Sequence, residues 1–308
     1  MTLLITHPDA DLHVTPPGHP EQVARLPAIR RALEGMALDR REALPATDAH
    51  LLRCHPQAYL DRLEATVPSE GWAQLDGDTF LSPGSLRAAR LAAGGAVQAV
   101  DAVLEDRTRS AFVAMRPPGH HAETATPMGF CLFGTVAIAA RHALEHHALD
   151  RVAVVDFDVH HGNGTQDLLW DEPRALFVST HQSPLWPGTG AASERGAHDN
   201  VMNVPLPPSS GGAEIRARFE TDILPRLEAF APKLILVSAG FDAHRADPLA
   251  NLNWETEDFA WLTERICDLA RRHARGRVVS CLEGGYDLDA LAEAGAAHVD
   301  VLRGHDDG

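Results

Sequence analysis

Cysteine is scarce and scattered. Cys54, Cys131, Cys267 and Cys281 are the four in the chain, and no two have the C-x-x-C spacing of a thiolate metal site or redox pair. Nor do they staple a small fold, which fits a reducing compartment. Any bound metal must therefore be held by Asp and His. Lysine is scarcer still: Lys233 is the only one, and arginine carries the remaining positive charge. With 27 basic and 43 acidic residues the formal net charge is -16, and no basic stripe is present to follow a phosphate backbone. That argues against a nucleic-acid partner, while such a field would attract cationic substrates. No apolar run approaches the ~20 residues needed to span a bilayer, so no membrane partner is expected. The start Met1-Thr2-Leu3-Leu4-Ile5-Thr6-His7-Pro8 lacks the basic and apolar regions of a secretory leader, and the expected location is cytoplasmic.

What is present is a globular composition, 44% hydrophobic and 23% charged. Short runs rich in Val, Ile and Leu predict strands at Leu3–Thr6, Ala111–Met115, Val152–Phe157, Ala175–Ser179, Leu234–Ser238 and Val278–Leu282. Helical spacing is expected near Gln22–Leu33, Pro56–Ala65, Pro83–Leu104, Gly134–Glu145, Ala213–Phe230, Thr256–His273 and Leu288–Leu302. Continuously apolar strands alternating with helices indicate a mainly parallel sheet covered on both faces, a three-layer α/β/α architecture. We find no internal repeat or linker, and expect one domain over residues 1–308. The Gly/Pro-rich stretches 116–129 and 182–212 read as long functional loops within it.

The most informative segment is Val154-Val155-Asp156-Phe157-Asp158-Val159-His160-His161-Gly162-Asn163-Gly164. If the strand continues, Asp156, Asp158 and His160 share one face, because alternate side chains point the same way. Unpaired carboxylates at the end of an apolar strand cost several kcal/mol, and a bound cation is the usual remedy. A lone D-x-D is often only a capping or salt-bridged pair, but the adjacent histidine and the glycine-flanked turn point to a divalent metal, zinc by preference. Asp242, in Ser238-Ala239-Gly240-Phe241-Asp242-Ala243-His244, can complete the set. His244 is the alternative, which the loop is expected to carry outward. Three protein ligands leave a position open, the catalytic rather than structural arrangement.

Other strand ends supply proton-transfer groups. Arg116-Pro117-Pro118-Gly119-His120-His121 sets two histidines on a proline-fixed loop. His146-His147, in a helical stretch, reads instead as a solvated pair. Glu283 and Tyr286 follow the strand at Val278–Leu282, and a phenol there could donate to a developing oxyanion. Ligands of open parallel sheets sit beyond the carboxyl ends of the strands, where all these clusters fall.

These motifs, RPPGHH (116–121), GFC (129–131), VDFDVHHGNGT (155–165), PGTG (187–190), SAGFDAH (238–244) and LEGGY (282–286), are similar to those of the histone deacetylase and acetylpolyamine amidohydrolase family, with its arginase-like α/β fold, and they occur in the same order. The resemblance covers nearly the whole chain and looks most like the class II branch. It implies one catalytic Zn2+ on Asp158, His160 and Asp242, His121 as general base, His120 as its electrostatic or acid partner, and Tyr286 polarising the scissile carbonyl. It further implies that Asp156 orients His120, and that Asp156, Asp158 and Ser179 contribute to a structural K+ site. Gly129, Phe130, Trp186 and Leu249 would line an acyl-lysine channel. Asn163 stands where one branch has an aspartate facing the second histidine, and Trp186 where phenylalanine is common. Leu249 replaces the glutamate of polyamine-selective members. The implied reaction is removal of an acetyl or short acyl group from an amine, the partner being a peptide or small-molecule acyl amine. A polyamine substrate, an arginase-like ureohydrolase and a non-catalytic acyl-amine binding module are the alternatives. The loops at 182–212 and Pro16–Arg25 are expected to shape the entrance, and a homo-oligomer is left open.

Overall fold

A computed structural model describes residues 1–306. Its strands are β1 (Leu3–Thr6), β2 (Asp39–Glu42), β3 (Ala73–Gln74), β4 (Phe80–Leu81), β5 (Ser110–Val113), β6 (Val152–Asp156), β7 (Ala175–Gln182), β8 (Val201–Leu206), β9 (Leu234–Ala239) and β10 (Val278–Leu282). The helices are α1 (Arg25–Ala32), α2 (Asp48–Leu51), α3 (Gln57–Thr66), α4 (Ser85–Leu104), α5 (Thr135–Glu145), α6 (Asn163–Leu169), α7 (Gly212–Arg218), α8 (Leu224–Phe230), α9 (Thr256–His273) and α10 (Leu288–Asp306). Apart from the small antiparallel pair β3–β4, the strands form one sheet in the order β2-β1-β5-β10-β9-β6-β7-β8. Every pairing in it is parallel.

The inner strands β5, β6, β9 and β10 are buried at every position. That follows from helices on both faces: α4 packs with α5 on one side, and α10 with α9 and α1 on the other. The three-layer parallel architecture expected from the sequence is therefore the one observed.

The differences lie where the apolar signal is weak. β2 is Asp-Arg-Arg-Glu and mostly exposed, so it is an edge strand without an apolar residue to reveal it. β8, the other edge, falls inside the stretch read as a loop and contains Pro205, which only an edge tolerates easily. The helix expected over 213–230 is interrupted by a π-helical turn at Phe219–Ile223. Pro225 follows and cannot donate to the helical ladder, so the register shifts ahead of it. The Gly-Asn-Gly segment is not a turn: Asn163 and Gly164 open α6.

One correction reaches the site. β6 ends at Asp156, so strand alternation does not align Asp156, Asp158 and His160. Two side chain–backbone bonds organise them instead. Asp158 N–H donates to Asp156 Oδ1 at 3.1 Å, and His160 N–H donates to Asp158 Oδ1 at 2.9 Å. Each aspartate thus folds the next two residues around itself.

Candidate functional site

β5, β10, β9 and β6 are consecutive neighbours in the sheet, and their carboxyl ends lead into the segments carrying His120 and His121, Glu283 and Tyr286, Asp242, and Asp158 with His160. Glycine makes room where these segments meet. A Cβ on Gly240 would lie 2.1 Å from Asp158 Oδ2, and one on Gly284 would lie 2.2 Å from Asp242 Oδ2 and 2.5 Å from Asp158 Oδ2. Backbone amides then fix the acids: Gly284 N–H donates to Asp158 Oδ2 at 2.8 Å and Val159 N–H to Asp242 Oδ1 at 2.9 Å.

His160 Nδ1 sits 3.2 Å from Asp158 Oδ1 and 3.1 Å from Asp242 Oδ2, with all three residues buried. Two donors on one tetrahedral zinc, each bonded at ~2.0–2.1 Å, stand about 3.3 Å apart. The spacing therefore fits a shared ion. So does the charge. Burial raises the Asp242 carboxyl, and the neighbouring Asp158 raises it further. Burial opposes a charged His160, yet its bonds to Asp158 and Asp242 push it up to about 10. The two acids call for positive charge at this point. His244 does not take part: its Nδ1 accepts from Ala246 N–H and its ring stacks on Phe259.

The two loop histidines are held differently. His120 Nδ1 is 3.0 Å from Asp156 Oδ2 and its Nε2 is 3.6 Å from Asp158 Oδ2. Burial works against its charge, but Asp158 and then Asp156 hold its pKa well above the ordinary value. His121 Nδ1 lies 2.8 Å from Asn163 Oδ1. Asn163 Nδ2 donates to Glu123 Oε1 at 2.9 Å, so its oxygen must face the histidine. That network places the His121 proton on Nδ1 and leaves Nε2 with a free lone pair. Burial, then the charges of His120 and His160, keep His121 well below its usual pKa. The carboxylate of Glu283 accepts from Gly119 N–H and His120 N–H, tying β10 to this loop.

A cavity of about 260 Å³ opens above these groups, lined by His121, His160, Gly129, Phe130, Trp186, Leu249 and Tyr286 among others. Trp186 stands edge-on to His121 with ring centres 4.7 Å apart, and Phe130 edge-on to Tyr286 at 5.8 Å. The aromatic walls thus cover different halves of the floor. Gly129 has φ +55° and a Cβ there would meet the His121 ring at 2.5 Å and the Trp186 ring at 2.6 Å, so only glycine passes between the two. Ser179 lies beside Asp156 in strand register, with its hydroxyl 3.0 Å from His181 Nδ1.

Several contributors carried no sequence signal of their own. His19 and Asp78 line the same cavity, joined by a 2.8 Å bond from the His19 ring to the Asp78 carbonyl; His19 falls in the entrance segment 16–25. Asp247 accepts from Tyr286 N–H at 2.7 Å, and the Arg25 guanidinium lies 4.9 Å from the Tyr286 ring centre. Only a three-dimensional neighbour relation reveals these two.

The model of the histone deacetylase domain matches residues 19–302. Histone deacetylase 14, chloroplastic, of Arabidopsis thaliana is 40% identical over 311 residues, covering 94% of this chain and 74% of its own length. The histone deacetylase-like amidohydrolase of Pseudomonas aeruginosa is 39% identical over 307 residues, covering 94% and 79%. The crystal structure of the HDA15 HD domain superposes with a TM-score of 0.93 at 33% identity, over 98% of this chain and 88% of that one.

Proposed function

The chain belongs to the histone deacetylase family, and from that premise we propose that it hydrolyses N-acyl amines, removing acetyl or short acyl groups from a lysine-like amine. Asp158, His160 and Asp242 are the residues that would hold one zinc ion. When bound, the ion would supply a Lewis acid and a water acidified toward neutral pH.

The remaining work falls to the chain. His121 is neutral, with Nε2 free toward the cavity, and takes a proton from the attacking water at that atom. His120, kept cationic by Asp156 and Asp158, stabilises the negative charge that develops beside it. Burial raises the Tyr286 phenol well above its ordinary pKa, so it stays protonated and donates to the carbonyl oxygen as that becomes anionic. His121 Nε2–H then returns the proton to the leaving amine. Phe130 and Trp186 would flank the methylene stem of the acyl-lysine, and Leu249 keeps the mouth apolar. Asp156 and Asp158, with Ser179 next in register, would also hold a structural potassium ion, offsetting the burial that lifts Asp156 to about 6.

The observation that carries this reading is that His160, grouped with Asp158 and Asp242 as metal-capable donors, lines the same aromatic-walled cavity as His121 and Tyr286. The test is a screen of metal-stripped and zinc-reloaded protein against acetyl-lysine peptides, acetylputrescine and small acyl amides. Turnover restored by zinc is expected. No turnover of any acyl amide by fully loaded protein would overturn it.

A further inference from the structure

A second cluster of imidazoles lies outside the cavity, at the carboxyl end of α5. His142, His146 and His147 each offer a ring nitrogen, and these atoms lie within 4.8 Å of one another. His142 and His146 are one helical turn apart with stacked rings 4.8 Å between centres. Ala148, at φ +52°, ends the helix in the left-handed region beside His147. His146 is exposed and His147 half-buried, as the reading of a solvated pair expects, and both rings also have neighbours in this group.

Asp101, near the carboxyl end of α4, closes the cluster. Its Oδ1 lies 2.7 Å from His142 Nε2 and 2.7 Å from His147 Nε2. One carboxylate oxygen thus faces two imidazole nitrogens. His142 is 3% exposed, and its Nδ1 is buried with no hydrogen-bond partner. Two helix ends, each with outward-pointing carbonyls, favour a cation here. Arg53 is paired with Glu145.

We propose that His142, His146, His147 and Asp101 form a second metal site, for a divalent first-row transition ion. Three imidazoles and one carboxylate are the donor set such ions select over calcium or magnesium. The ion would cross-link α4 to α5. The amino end of α5 abuts the loop of the two catalytic histidines, since a Cβ on Gly119 would lie 2.7 Å from Thr135 N. The 2.7 Å separations are about 0.6 Å shorter than the ~3.3 Å between donors on one tetrahedral ion. The cluster must therefore open slightly to admit the metal, and it should bind more weakly than the cavity site.

The test is zinc counted by elemental analysis on the tag-free full chain after chelation, reloading and gel filtration. Wild type should carry two ions. His146→Ala and His147→Ala, which sit at the exposed side of the cluster, should carry one, with deacylation unchanged once the cavity site is filled. Asp158→Ala should also carry one, and the Asp158→Ala/His147→Ala double variant none. Cobalt substituted into Asp158→Ala should give visible d–d bands that the double variant lacks. A single ion in wild type with equal content in His146→Ala and His147→Ala would overturn the proposal. Metal lost from His147→Ala but not from Asp158→Ala would uphold it while refuting the assigned cavity ligands.

Discussion

Replacing Asn163 by Asp tests whether His121 is the base. At 2.8 Å the Asn163 oxygen accepts from His121 Nδ1, and that neutral bond does little to favour the imidazolium. A bond to a neutral acceptor is worth ~0.5–1.5 kcal/mol and one to a charged group ~1.5–3 kcal/mol, so a carboxylate should stabilise the cation by about 1.5 kcal/mol more. At 1.36 kcal/mol per unit this raises the His121 pKa by about one unit. His121 accepts a proton only when neutral, so the acidic limb of the pH profile of kcat/KM should move up by about one unit. Turnover should fall below the limb, and above it the more basic histidine should match or exceed wild type. The structure adds a complication. In Asn163→Asp an oxygen replaces the amide nitrogen that now lies 2.9 Å from Glu123 Oε1, and the two acids would share a proton. Adding Glu123→Gln restores a donor at that place and should bring out the full shift. An acidic limb that stays put in Asn163→Asp/Glu123→Gln, with metal content intact, would refute the role given to His121.

Three further outcomes follow from other contacts. Tyr286→Phe should lower kcat about 10²-fold, corresponding to the ~3 kcal/mol typical of one lost oxyanion donor, with zinc content unchanged by elemental analysis. Gly284→Ala places a methyl 2.2 Å from Asp242 Oδ2 and 2.5 Å from Asp158 Oδ2, so it should strip the cavity metal as effectively as Asp242→Ala, measured by metal content of the folded variant. His298 is buried between Thr263 and Ser280, and burial presses its pKa down to about 3. The folded state therefore binds this proton less readily than the unfolded chain, and the stability it confers is present above pH 6.5 and lost as the pH falls toward 3. Its contribution to the slope should approach ~1.4 kcal/mol per pH unit below pH 6, and His298→Gln should remove that part in denaturant titrations.

How much of this was legible in the sequence depended on which force shapes each segment. Inner strands such as Val152–Asp156 and Val278–Leu282 are buried on both faces, so their apolar runs declared them, and the parallel sheet followed. Edge strands lack that pressure: Asp39–Glu42 needs no apolar residue, and Val201–Leu206 can hold a proline. The cavity residues were found through local patterns of Asp, His and Gly, yet the reasoning that aligned Asp158 with His160 relied on a strand that stops two residues earlier. The correct device, a carboxylate capping the amide two residues on, was present in the same letters, but strand alternation overshadowed it. Arg25 was named only as the end of the entrance segment and Asp247 not at all, since their contacts with Tyr286 come from distant segments and form only through the fold.

Charge gives the deeper reason the centre was conspicuous. Asp156, Asp158, Asp242 and Glu283 are all fully buried within one connected network, and among the described residues no arginine or lysine pairs with any of them. Only backbone amides, Ser238 and two histidines answer four acids. Burial accordingly lifts Asp156 to about 6 and Glu283 to about 7. A core of this kind is stable only if protons or metal ions supply the missing positive charge. Protons would neutralise the acids and leave His121 and Tyr286 facing an inert floor. Ions would leave the acids charged, and would set a Lewis acid at the cavity that His121 and Tyr286 line.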